Sequence, residues 1–150
     1  MVQPYTGTLI GSTHRYALRV FYEDTDLSGV VYHANYLRWF ERARSDMLRH
    51  LGIDQAAVQA AGEGFWTVAE ANIRYLAPAR LDNAVVIETR AERLLAATCH
   101  MRQRALLQAV DGTVQVLADA QLRIGFIGPD GRPRRQPQGW RDAFARFMEH

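Results

Sequence analysis

A single long helix set among strands is the feature that most limits what this chain can become. Over residues 33–51, Tyr36, Leu37, Phe40, Ala43, Met47, Leu48 and Leu51 recur at three- and four-residue steps. Arg38, Glu41, Arg42, Ser45 and Arg49 fill the opposite side, the pattern of a helix with one buried face. Gly52 supplies a residue suited to ending it. On either side the period changes to two. In residues 16–22, Tyr16, Leu18, Val20 and Tyr22 share one face while Ala17, Arg19 and Phe21 share the other. Residues 65–76, 85–92, 98–107 and 113–127 read as further strands, with Asp111-Gly112 as a hairpin turn. The order of strand, long helix and four strands predicts an α+β arrangement, one central helix against a roughly five-stranded antiparallel sheet. One helix covers only one face of such a sheet. The other face, or an edge strand, is therefore expected to meet another subunit.

The flanks are simpler. Residues 1–14 carry Gly, Ser, Thr and Pro and are expected to form a flexible arm. Residues 15–135 make the domain, and residues 136–150 a C-terminal tail with a short amphipathic helix over 138–147. Asp54 can cap a short second helix that runs to Ala61, stopped by Gly62 and Gly64. No apolar run approaches the ~20 residues needed to cross a bilayer. The first residues show no basic stretch followed by an apolar one, so export is not expected. Cys99 is the only cysteine, which excludes an internal disulfide and fits a reducing cytoplasm. The net charge is +2, every basic side chain apart from histidine is arginine, and the charges are interspersed except at Arg132–Arg135. A nucleic-acid partner is not expected.

The chemistry concentrates between Tyr22 and Tyr36. Asp24 and Asp26 stand one residue apart at the end of a strand-like run, followed by a turn at Gly29 and the helix opening near His33. This aims a carboxylate at the positive end of a helix, where backbone N–H groups lack an intrahelical partner. A carbonyl held between the two would face a base or nucleophile on one side and an oxyanion hole on the other. Competing readings fail on spacing. Asp24-Thr25-Asp26-Leu27-Ser28-Gly29 copies half a calcium loop, but its twelfth position is Asn35 where a bidentate Glu is needed. Ser28 lacks a Gly-x-Ser-x-Gly setting. Cys99 and His100 leave opposite faces of a strand, and the histidines show no metal-ligand spacing, so no metal is expected. Asp24 is given a structural role. Trp66 and Thr67 border an acyl pocket or fill the core; the residues alone leave both open.

Three segments carry a family resemblance. They are Arg19-Val20-Phe21-Tyr22-Glu23-Asp24-Thr25-Asp26 through Gly29-Val30-Val31-Tyr32-His33, Phe40-Glu41-Arg42-Ala43-Arg44 through His50, and Tyr75-Leu76-Ala77-Pro78-Ala79-Arg80-Leu81-Asp82. Together they resemble the hotdog-fold acyl-CoA thioesterases, in the Tol–Pal-associated branch of the 4-hydroxybenzoyl-CoA thioesterase family. The resemblance implies a hotdog fold and hydrolysis of an acyl-CoA to free acid and CoA, without a cofactor. It implies Asp26 as the catalytic carboxylate, with His33 offering its backbone N–H to the carbonyl and its imidazole as a further participant. It places substrate against Gly29, Val30, Tyr32, Trp66 and Thr67. It also implies active sites at the interface of a homodimer or homotetramer. One departure stands out: where 4-hydroxybenzoyl relatives carry consecutive basic residues for CoA phosphates, only Arg93 is basic here. The alternatives are an acyl-thioester-binding or scaffold protein on the same fold, or a hotdog dehydratase.

Overall fold

The apolar stripe of the long helix becomes the centre of the core in the computed structural model, which describes residues 1–149. In chain order the elements are β1 (Thr8–Ile10), β2 (Thr13–Arg19), a 3-10 turn (Tyr22–Asp24), α1 (Asn35–His50), α2 (Gln55–Ala60), β3 (Phe65–Tyr75), β4 (Ala84–Leu94), β5 (Thr98–Gln108), β6 (Val114–Ile127) and α3 (Gln138–Met148). The strands form one antiparallel sheet ordered β1-β2-β4-β5-β6-β3. The α+β class is as expected, with one strand more than the period of two revealed.

That strand is β1, and it corrects the second half of the expected arm over residues 1–14. Gly11, at φ 60°, turns Thr8–Ile10 back onto β2 and sets Ile10 opposite Thr13. Gly11-Ser12 is itself a two-residue hairpin signal. At its other end β2 stops at Arg19, earlier than the alternation suggests. The Asp24 carboxylate accepts the Phe21 N–H at 2.8 Å, which closes Tyr22–Asp24 into a turn and leaves Tyr22 exposed.

Helix α1 buries Tyr36, Trp39, Phe40, Ala43, Met47 and Leu48, while Leu37 lies off the buried stripe and is exposed. Val85 and Ile87 of β4, Met101 and Ala105 of β5, and Leu122, Ile124 and Phe126 of β6 join this cluster. So do Trp140, Phe144 and Phe147, so α3 closes the core and does not hang from it as a tail. Trp140 stacks on Trp66 with ring centroids 5.2 Å apart. The fully buried Gln103 ties helix to sheet. Its amide donates to Phe40 O at 3.0 Å and Thr89 Oγ1 at 2.9 Å, and its Oε1 accepts from Arg44 at 3.0 Å.

A polar cluster pins the N-terminal hairpin to α1. Asp46 Oδ2 lies 2.7 Å from His14 Nε2 and accepts the Gly7 N–H at 2.8 Å, while Oδ1 accepts from Thr6 Oγ1 at 2.8 Å. His50 Nε2 sits 3.0 Å from the same hydroxyl. An ionised carboxylate only accepts, so His14 Nε2 carries the proton, leaving Nδ1 buried without a partner. Two histidines and an aspartate this close raise the question of a cation. The contacts are hydrogen bonds, however, and the chain closes over them. A Cβ on Gly7 would stand 2.9 Å from Asp46 Oδ2 and 3.0 Å from His14 Nε2.

Burial lowers the pKa of His14, and the Asp46 hydrogen bond only partly offsets it. Burial alone would raise the Asp46 carboxyl, but hydrogen bonds from His14, Thr6 and Gly7 outweigh it and hold it below the usual range. An unfolded chain takes up a proton on histidine near 6.5, whereas the folded one resists it. Stability is therefore complete above that pH and is lost as pH falls from about 6.5 through the lowered folded value. The Asp46 contribution is present above about 3.8 and disappears as pH falls further. Thermal midpoints of the wild type should thus fall between pH 7.5 and pH 5 on the scale of ordinary histidine titration. In His14→Gln, whose amide can still reach Asp46, that slope should flatten. An unchanged slope by calorimetry would remove His14 from the account.

Candidate active site

The loop after β2 is shaped by backbone pairing. Thr25 and Val31 form an isolated bridge, as do Val30 and Arg80, and the Val31 N–H donates to Ala79 O at 2.9 Å. Between them Asp26 to Gly29 make a tight turn: the Gly29 N–H donates to Asp26 O at 3.1 Å, and Gly29 takes φ +83°. No heavy atom lies within 4 Å of where a Gly29 Cβ would stand, so the backbone there is open to a ligand. Ser28 donates both its N–H, at 2.8 Å, and its hydroxyl to Asp26 Oδ1. These two bonds, the hydroxyl first, hold the exposed Asp26 carboxyl below the ordinary 3.8 and keep it ionised at neutral pH. Among the described residues, Oδ2 has no partner.

The loop leads directly into α1. Asp24 joins the two: its Oδ1 accepts from Asn35 Nδ2 at 2.7 Å while Oδ2 holds the preceding turn. The helix starts at Asn35, with Ala34 as its N-cap residue, so His33 precedes it. No side chain caps this start. Among the described residues the N–H groups of His33 and Ala34 have no acceptor. A helix start left open in this way is an anion site, with its dipole and free amides aimed at solvent. The Tyr75 hydroxyl donates to His33 O at 2.9 Å and fixes the exposed residue from below. Tyr32, also exposed, tilts against the His33 ring at 4.6 Å.

Beside the helix start lies an open cleft of about 300 Å³ lined by Val31, His33, Tyr36, Tyr75, Leu76, Ala77 and Pro78. The sequence pattern assigns Tyr36 to the buried stripe of the helix and gives Tyr75 and Pro78 no place in the site, although Tyr75-Leu76-Ala77-Pro78 is one of the segments that carry the resemblance. The signal available was an aromatic residue and a proline closing a strand.

Within one chain, then, the structure gathers Asp26, Gly29, Val30, Tyr32 and His33 on one loop and helix start. It does not bring Trp66 and Thr67 there. They sit at the far end of β3, roughly 30 Å along the strand from Tyr75 at about 3.3 Å per residue. There they line a separate cavity with Arg44, Leu48 and Phe144.

The Ser28 contacts make a specific expectation. In a carboxyl NMR titration, Asp26 should ionise below 3.8, and Ser28→Ala, which removes the hydroxyl donor, should move it upward. An unmoved value would show that Ser28 does not tune the carboxylate.

Comparison with known proteins places the chain in a family. Residues 28–109 match the thioesterase superfamily. The acyl-CoA thioester hydrolase YbgC of Escherichia coli O6:H1 is 37% identical over 125 residues, covering 83% of this chain and 90% of that protein. The structure of a probable thioesterase from Bartonella henselae matches with TM-score 0.76 and 39% identity, over 83% of this chain and 99% of that one. The 4-hydroxybenzoyl CoA thioesterase from Pseudomonas sp. strain CBS-3 shares the fold alone, with TM-score 0.80 and 21% identity over 87% of this chain and 98% of that one. The sheet around one long helix is thus that of a hotdog fold, and the chain belongs to the thioesterase superfamily.

Proposed function

We propose that this chain hydrolyses acyl-CoA thioesters to free acid and CoA, with the thioester carbonyl seated at the start of α1. The observation that carries this is the uncapped helix start next to an ionised carboxylate with one free oxygen. The His33 N–H and its neighbour bind the carbonyl oxygen as charge develops, an effect worth about 3–4 kcal/mol per donor in hydrolases. Asp26 then either attacks the carbonyl carbon to form a mixed anhydride that water opens, or takes a proton from an attacking water. The C–S bond breaks as electrons return from the tetrahedral oxyanion, and CoA leaves as thiolate. Gly29, Val30 and Tyr32 flank the reacting carbonyl. The His33 imidazole, on the exposed side, contacts substrate. The E. coli and B. henselae relatives support this reading by their names and by their likeness over most of both chains.

A homodimer completes the site in this reading, and a pair of dimers makes a homotetramer. Among the described residues β3 is hydrogen-bonded only to β6, so its outer edge is free, and most of its residues are exposed. A long bare edge is a template for another strand. If two copies pair antiparallel along β3, Trp66 and Thr67 of one copy come back to the Tyr75 end of the other, beside its helix start. The 30 Å separation within one chain becomes contact between two. A cytoplasmic location fits the single cysteine: Cys99 is buried, and burial pushes its thiol up to about 12. In sedimentation at micromolar concentration the active species should be at least twice the 17.0 kDa chain mass. A fully active monomer would overturn the shared site.

The chemistry is tested by Asp26→Asn, which keeps shape and removes charge. Loss of a general base costs about 10²–10⁴ in rate, and loss of a nucleophile can cost more. Turnover in a thiol-release assay should fall by at least that range, while folding and acyl-CoA binding persist. His33→Ala should retain measurable hydrolysis, because the backbone N–H remains. Near-normal turnover by a verified Asp26→Asn protein would refute the mechanism.

A further inference from the structure

A cavity outside the thioester site combines apolar walls with an arginine. Between α1, the Trp66 end of β3 and α3 lies a space of about 250 Å³. Leu48, Met101, Ile124 and Phe144 give it buried apolar walls, yet Arg44 lines it too. The Arg44 guanidinium makes one hydrogen bond, to the neutral amide oxygen of Gln103, and has no carboxylate within ion-pair distance among the described residues. Gln103 is itself locked by Phe40 O and Thr89, so it orients the guanidinium without neutralising it. Trp66, which also lines it, has a buried indole N–H with no acceptor among the described residues.

A half-buried arginine beside apolar walls and without an ion-pair partner loses part of its hydration, and only the neutral Gln103 oxygen makes up for it. The desolvation is strong enough to lower the Arg44 pKa, with Glu41 opposing it. Glu41 is the other charged residue at this cavity, at its rim and one helical turn back. Its carboxylate accepts the Ser45 hydroxyl at 2.8 Å. The walls therefore suit a hydrocarbon, and the guanidinium, paired with no carboxylate among the described residues, suits an acceptor at its end. Arginine's planar fork matches a carboxylate better than any neutral group.

We infer that this cavity is an acyl-tail subsite for thioesters whose acyl chain ends in a carboxylate, with Arg44 pairing that terminal group. The inference rests on the thioesterase reading and on β3 pairing, which brings the Trp66 end of one copy to the helix start of the other. The carbonyl sits at one subunit's α1, and the tail runs past Trp66 into the neighbouring cavity.

The test compares saturated acyl-CoAs of four to ten carbons with their ω-carboxy counterparts of equal length. For wild type, kcat/KM should favour the ω-carboxy substrate at least tenfold at one length or more. Arg44→Met should collapse that ratio toward one, and Arg44→Lys should keep part of it. A wild-type preference for the neutral chain at every length overturns the inference without recourse to any variant. So does a ratio that Arg44→Met leaves intact. Calorimetric binding of non-hydrolysable thioether analogues separates the two levels of the argument. An ω-carboxy preference in binding with no hydrolysis of either series would sink the thioesterase reading and keep the subsite. Hydrolysis of both series with equal binding would do the reverse.

Discussion

Burial of one side of α1 is the constraint from which the rest of this molecule follows. Trp39, Phe40, Ala43 and Met47 leave almost no surface to water, and a side of that size can be covered only by a broad sheet. The sheet must therefore pass β4, β5 and β6 beneath the helix, which leaves β3 at the outer edge. The same burial fixes where the helix begins. Because Tyr36 and Trp39 anchor its first turns, the amides ahead of Asn35 emerge at one place, beside the loop that carries Asp26. Stability and chemistry are coupled here by geometry: the apolar stripe that closes the core also aims the helix dipole.

Much of this was legible in the sequence because it is local. Helical and strand periods, the Gly52 stop and the Asp26–Gly29 turn depend on neighbours a few residues apart. The layout of the candidate loop is local too, since carboxylate, glycine turn and helix start are consecutive. What escaped depends on contacts distant in sequence. Periodicity put Leu37 on the buried face, but the sheet lies toward Trp39, so tryptophan went in and leucine stayed out. The hairpin at Gly11 was a local signal passed over in a polar stretch. His14 meets Asp46 across 32 positions, and Arg44 meets Gln103 across 59; no spacing rule connects either pair. Each joins the helix to a strand, and only the folded topology brings them together.

The polar residues inside this core divide into two kinds. Gln103 and Asp46 are satisfied on nearly every atom and act as ties between layers. Among the described residues, His14 and Trp66 each retain an unmet polar atom, and Arg44 has a neutral partner in place of a carboxylate. Native interiors tolerate few such groups. For His14 the result is a fold that prefers the neutral imidazole. Arg44 instead lines a cavity, which is why it speaks of a ligand where His14 does not.

Asp24 has a consequence of its own. One carboxylate oxygen holds the turn before the Asp26 loop, and the other holds the first residue of α1. The two halves of the reacting geometry, carboxylate and oxyanion amides, are therefore fastened to a single side chain. Each is tied to the other through two hydrogen bonds of that side chain. Alignment is completed during folding, so the entropy of bringing base and amides into register does not fall on each turnover. On the proposed mechanism, no lid is needed to bring the carboxylate and the amides of one copy together; the partner copy adds only to the walls around them.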